Sequence, residues 1–205
     1  RNVAGRPGHS ETILPEIRSL LLDAGVRLDD LDAIAFGAGP GAFTGLRLAC
    51  GVAQGLAMGL GKPVIPVGTL AALASQCSHD AILVAADARM SEVYFAAYRR
   101  VDGVLEECLA PSCAAPGAVA LPAEGDWFGF GSAFKAYGEV LVPGLGARLA
   151  GHDATPVPLA SSVARLAAWH FSRGEVVDAA LAAPLYVRDK VALTTAERLA
   201  SGGKA

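Results

Sequence analysis

Charge is scarce in this chain, and what there is nearly cancels. Asp, Glu, Lys and Arg make up only 18% of the 205 residues, 17 basic against 20 acidic, for a net charge of −3. Without a basic excess there is no global field to draw in a polyanion, so any contact with RNA needs a basic surface supplied by another chain. Cysteine patterning is also missing: Cys50, Cys77, Cys108 and Cys113 have neither zinc-ribbon nor CxxC spacing. That excludes a metal knuckle and a dithiol redox centre, and leaves reduced structural thiols of the kind found in a cytoplasmic protein. His9, His79, His152 and His170 are scattered and read as surface or helix-end residues rather than ligands. His9, Ser10 and Glu11 are consecutive, and neighbouring side chains point in different directions, so they cannot form a hydrogen-bonded catalytic chain. The most apolar segment is interrupted by Arg47 and Gln54, so no membrane span is expected.

Apolar residues are plentiful, at 53%, enough to exclude disorder and to fill a sizeable core with some left for a partner. The chain opens on Arg1-Asn2-Val3-Ala4-Gly5, which reads as the end of an edge strand or hairpin whose beginning lies upstream. Residues 9 to 24 place Ile13, Ile17, Leu20, Leu21 and Ala24 on one helical face, with Ser10 or, given Pro15, Thr12 as N-cap and Gly25 as the stop. Leu14 and Leu22 lie off that stripe. AIAFGAG, KPVIPV and AILVAADAR read as buried strands, with helices over 44–60 and 69–78 between them, an order that implies a parallel sheet. A hairpin turning at Asp102 and Gly103 follows, then a short strand at DWFGFG and helices at SAFKAYGEVL and SSVARLAAWHFSRG, the second capped by Ser161 or Ser162 and closed by Gly174. The expected organisation is a first lobe over 1–79, truncated at its start, a second over 80–187, and a flexible tail over 188–205.

FGAGPGAFTGLR, residues 36–47, sits between a strand and a helix, where phosphate-binding loops occur. It lacks the Walker lysine, because Leu46 and Arg47 follow Gly45. It also lacks the ribose-binding acid about 20 residues on, since the next acid is Asp80. A tight turn from strand to helix explains the glycines, and Gly39, Gly41 and Thr44 are at most a vestigial phosphate loop. The helix behind it is apolar on both sides: Leu46, Ala49, Cys50, Ala53, Leu56, Ala57 and Leu60 on one, Leu48, Gly51, Val52, Gly55, Met58 and Gly59 on the other. Each interior Gly costs a helix about 1 kcal/mol relative to Ala, so Gly51, Gly55 and Gly59 at spacing four predict the close approach of another backbone. Shared helical interface and fully internal packing both remain open at this point.

HSETILP, FGAGPGAFTGLRLACGVAQGLAMGLGKPVIPVGTLAALA, DARMSEVYFAAY and PLYVRDKVA occur in that order from His9 to about Ala192, and together they resemble the TsaB (YeaZ) family, the dimerisation subunit of the bacterial tRNA threonylcarbamoyladenosine machinery. The resemblance implies an α/β, actin-like (ASKHA, RNase H-like) two-lobe fold, here without the N-terminal strands and their phosphate loop, which would leave a sheet edge open. It also implies a relation to the catalytic TsaD family, in which an Asn and two metal-binding histidines would stand where this chain has Gly68, Thr69 and Leu73. Thr and Leu cannot replace imidazoles. No catalytic residue, metal or cofactor is therefore expected. Asp87, Arg89 and Glu92 are read as a turn-stabilising set. The implied role is a scaffold for a TsaD-like enzyme, joined by a TsaE-like ATPase, self-pairing as a homodimer when alone and meeting tRNA only through the complex. Its contacts would come from Leu14, Arg18 and Leu22 on one helix and Arg47, Gly51, Gln54, Gly55 and Met58 on the other. The competing reading is an independent nucleotide-hydrolysing or peptidase enzyme that uses the cleft between the lobes.

Overall fold

A computed structural model describes residues 9–188; the expected tail beyond Arg188 and the opening residues 1–8 lie outside it. In chain order it has α1 (His9–Ala24), β1 (Ile34–Gly39), α2 (Phe43–Leu60), β2 (Val64–Gly68), α3 (Thr69–Ala74), β3 (Ala81–Arg89), β4 (Glu92–Val101), β5 (Val104–Ala114), β6 (Trp127–Phe130), α4 (Ala133–Leu145), β7 (Leu149–Asp153) and α5 (Ala160–Ser172).

Among the described residues, β1 and β2 form a two-stranded parallel sheet with Ile34 opposite Val64. Small side chains let α2 lie close on one face, where Cys50, Ala53 and Ala57 meet Phe36, Ala38 and Val64. The opposite face is covered by α5, whose Val163, Leu166 and Ala167 pack on Ile65, Val67 and Ala72. Just beyond α5, Val177 exchanges two hydrogen bonds of 2.9 Å with Val64.

The second sheet has the order β5-β4-β3-β6-β7, antiparallel across β3, β4 and β5 and parallel from β3 through β7. It is buried on both faces, which is why β3 reads as a continuous apolar run instead of an alternating one. Leu83, Ala85, Val93 and Ala97 face Phe134, Leu141 and Leu145 of α4, with Trp127. Ile82, Val84, Ala96 and Tyr98 face Leu70, Leu73 and Ala74 of α3, which is thereby clamped between the two sheets. Burying each large side chain of this core contributes roughly 1.5–3 kcal/mol. Asp102 and Gly103 both have positive φ, 50° and 81°, and make the two-residue turn whose twist suits a hairpin. Pro111 is tolerated in β5 because that strand is an edge.

The structure departs from the sequence reading in several places. Residues 160–188 do not stay in the second lobe: α5 and the chain after it return to the first sheet, so the 80–187 boundary runs through a segment that belongs to both halves. Neither Ser161 nor Ser162 caps α5, which starts at Ala160; the Leu159 carbonyl accepts from the Ser162 and Val163 amides, while the buried Ser162 hydroxyl accepts from Arg165 at 3.0 Å. The first helix already runs at His9, which puts Ser10 and Thr12 inside it rather than at its cap. β7 was not foreseen, since LAGHD carries only one large apolar residue; Gly151 suits the close approach of the Phe128 ring, which a Cβ would meet at 3.2 Å. α2, with Arg47 its only charge, is long and apolar enough by length and composition to cross a membrane, and it is instead packed along one side on β1.

Candidate functional site

Two places concentrate features that packing alone does not explain. The first is the outer surface of α1 and α2. α2 buries Leu46, Cys50, Ala53 and Ala57, a spacing of three to four that uses up one face. Among the described residues its other face is poorly covered: Met58 is 65% exposed, and on α1 Leu14 and Leu22 are 53% and 72% exposed. Arg18 is exposed beside them. From Ser10 to Ala24 α1 contains no buried residue, so even the stripe predicted to anchor it is only partly covered. Between the helices runs an apolar trough of about 450 Å³ lined by Leu14, Arg47, Leu48, Gly51, Val52, Gly55 and Leu56. A second, of about 460 Å³, continues over Ile17, Arg18, Leu21 and Leu22.

Among the described residues no backbone approaches Gly51, Gly55 or Gly59: a Cβ at any of the three would have nothing within 4 Å. Seven of the eight sequence-derived interface residues share this surface. Gln54 does not; its side-chain amide donates to the Ala182 carbonyl at 3.1 Å, on the inner side that also receives the Cys50 thiol at 3.4 Å.

The second place is the cleft between the glycine loop and the β3–β4 turn, about 390 Å³, lined by Pro40 to Phe43, Asp87 to Arg89, Tyr94 and Leu185 to Arg188. Gly39 has φ 119°, and a Cβ there would meet the Leu185 carbonyl at 2.8 Å and Leu46 at 3.0 Å. Its role is close packing. Gly41 lies over Leu46 and Thr44 is exposed, and the segment 184–188 straps the loop down, with the Leu185 amide donating to the Ala38 carbonyl at 2.7 Å.

At the far end of the strap, Arg188 forms a 2.6 Å ion pair with Glu92 and donates to the Ala88 carbonyl at 2.9 Å. Burial opposes its charged form, but Cys113, Tyr94 and Glu92 outweigh that and hold its pKa above the ordinary arginine value. It braces a turn in which Arg89, Met90 and Ser91 are all left-handed, with φ of 61°, 54° and 57°. Each such residue costs roughly 1–2 kcal/mol. Asp87 shares the load: it accepts from the Arg89 amide at 2.8 Å and the Tyr137 hydroxyl at 3.1 Å, and pairs with the Arg89 guanidinium at 3.1 Å. Asp87 and Arg89 therefore stabilise the turn as read, while Glu92 serves Arg188. Arg188, counted with the tail from sequence, is anchored.

Glu92 pairs with Arg188 and Asp87 with Arg89 and Tyr137, and burial pushes the Cys113 thiol and the Tyr94 hydroxyl up, away from reactive thiolate or phenolate. His79 and His152 stack on Phe128 and Phe134, and His170 pairs with Glu175 at 2.7 Å. The positions corresponding to the metal-binding residues do not fit a metal: Leu73 is 1% exposed in the core against the second sheet, and Gly68 and Thr69 start α3 without an imidazole. Sequence reasoning missed Tyr186 and the anchoring of Arg188; the apolar PLYV run before the arginine is the signal that could have located them.

The family model described as TsaD, tRNA N6-adenosine threonylcarbamoyltransferase, matches residues 4–126. That defines the class, and it agrees with the α/β two-sheet architecture of the actin-like (ASKHA) fold. The tRNA threonylcarbamoyladenosine biosynthesis protein TsaB of Escherichia coli is 34% identical over 195 residues, covering 90% of this chain and 82% of that protein. TsaB of Haemophilus influenzae is 50% identical over 91 residues, 42% of this chain and 39% of its own length. YeaZ from Pseudomonas aeruginosa superposes with a TM-score of 0.80 at 40% identity, over 88% of this chain and 86% of that one. A second Pseudomonas aeruginosa structure, described as an uncharacterized protein with similarity to peptidase YEAZ, gives 0.81 at 41%, over 88% and 84%. The chain belongs to the TsaB (YeaZ) family of tRNA threonylcarbamoyladenosine biosynthesis proteins.

Proposed function

We propose that the chain is a non-catalytic subunit that pairs, through the outer face of α1 and α2, with a TsaD-type transferase and supports its transfer of threonylcarbamoyl to the adenosine next to the tRNA anticodon. The carrying observation is the uncovered apolar face with three helix glycines opening onto empty space. An apolar surface of this kind is a standing cost unless a partner covers it. The transferase suits the site because its family model matches this chain over residues 4–126, α1 and α2 included, so the two proteins can present like faces to each other in a pseudo-symmetric pair. Two copies of this chain form the symmetric counterpart, a homodimer, when the transferase is absent. A TsaE-type ATPase joins the assembly in the cytoplasm, and tRNA is met through the complex because the chain has no basic excess of its own.

Replacing Gly55 by Leu tests the reading: the side chain has room in the isolated chain, so folding stays intact while pairing with the transferase is blocked. Normal complex formation by that variant would remove the assignment. The alternative, an independent nucleotide-hydrolysing or peptidase enzyme in the cleft, has against it the mutual engagement of the cleft's charged groups. Titration calorimetry of the isolated chain with ATP and magnesium separates the two, because tight binding with turnover is incompatible with a scaffold.

A further inference from the structure

Arg47 belongs to two structures at once. Its side chain lines the trough between α1 and α2 with Leu14, Gly51 and Gly55. Its guanidinium lies 3.9 Å from the centre of the Phe43 ring and donates Nε–H to the Tyr186 hydroxyl at 3.0 Å. Tyr186 is held on both sides, by the Leu185 amide on the Ala38 carbonyl and by Arg188 on Glu92 and Ala88, and its own ring packs 5.7 Å from Phe43. Among the described residues no acceptor pairs with the terminal nitrogens of Arg47.

We infer that Tyr186 is a positioning residue of the docking face proposed above. With Phe43 it fixes the Arg47 guanidinium at the rim of the trough and leaves the Nη donors open. An arginine left free must give up much of its rotamer entropy when it is ordered by a partner. Here that ordering precedes docking, because the strap supplies it. The face thereby selects an apolar helix that carries a carboxylate along its edge, since two adjacent N–H donors of a fixed guanidinium match a carboxylate in the bidentate manner. Tyr186 does not line the trough and acts through Arg47 alone, linking the strap over the cleft to partner recognition.

The test measures affinity of the full chain for the transferase subunit of the same source by calorimetry, in the wild type, Arg47→Ala, Tyr186→Phe and the double variant, with Gly55→Leu as the control for the face itself. Tyr186→Phe keeps the ring and its stacking and removes only the hydroxyl, and its thermal midpoint should match the wild type. Loss of a hydrogen bond to a charged donor predicts binding weaker by about tenfold. The double variant should bind no worse than Arg47→Ala, and added salt should weaken the wild type more than either Arg47 variant. Equal weakening by Tyr186→Phe with and without Arg47 overturns the positioning role. So does unchanged affinity of Tyr186→Phe when Gly55→Leu blocks pairing, and in that case the docking face survives. Normal pairing by Gly55→Leu removes the docking face and this inference together.

Discussion

The second sheet and the α1–α2 surface are made of the same kinds of residue and treat them in opposite ways. Leu83, Ala85, Val93 and Ala97 are wholly removed from solvent, whereas Leu22 and Met58 are mostly in it. Side-chain hydrophobicity therefore does not say where a residue ends up; the number of layers available to cover it does. β3 and β4 have a helix on each face, α3 on one and α4 on the other. α2 has a sheet on one side and only the lightly packed α1 beside the other.

That contrast is open to direct attack, beginning with the core. Leu83→Ala should cost about 3 kcal/mol of unfolding free energy in urea titration, because it opens a cavity in a fully closed layer. A loss under 1 kcal/mol would mean that the second sheet is no better packed than the helix face. On the other side of the comparison the sign reverses. At dilutions where the chain is monomeric, Gly51→Ala and Gly59→Ala should each stabilise it by up to about 1 kcal/mol, since a methyl meets no described atom there and Ala is the better helix former. Destabilisation, read from the same titration, would reveal contacts that the uncovered face is said not to have.

The smallest effect concerns the end of α5, just before the chain pairs with β2. Hydrogen bonds from Arg173 and His170 hold the Glu175 carboxyl below the ordinary glutamate range. A depressed carboxylate pKa contributes stability above the unfolded value that disappears as pH falls through the folded one, so this helix end should loosen only once the pH has dropped below the ordinary glutamate range. Carboxyl chemical shifts followed through an acid titration check it: Glu175 titrating at or above the glutamates on exposed turns would break the assignment.

Much of this was legible in the residues. The β3–β4–β5 meander followed from an apolar run and a hairpin turn at Asp102 and Gly103, and α2 from the long apolar segment between two strand runs. The destination of α5 was not, because an apolar stripe states that a helix packs and not which sheet receives it. The same limit applied to Gln54, whose place on the wheel is near the glycines while its amide turns inward to Ala182. Gly39 drew attention as a phosphate ligand, and its φ and its contact with Leu185 required the far end of the chain to be in place. Tyr186 and Arg188 belong with it: their partners lie about a hundred or more residues away, beyond the reach of any local pattern.

The return of α5 and Val177 to the first sheet sets an order of events on the ribosome. β1 and β2 are synthesised early, but the side that α5 covers, and the Val64–Val177 bridge, wait until more than half the chain again has emerged. The second sheet, by contrast, has all its strands within a continuous stretch from Ala81 to Asp153. During synthesis the later half can close first and the earlier half last, so that the half bearing the proposed docking face stays unfinished until α5 and the strap have emerged.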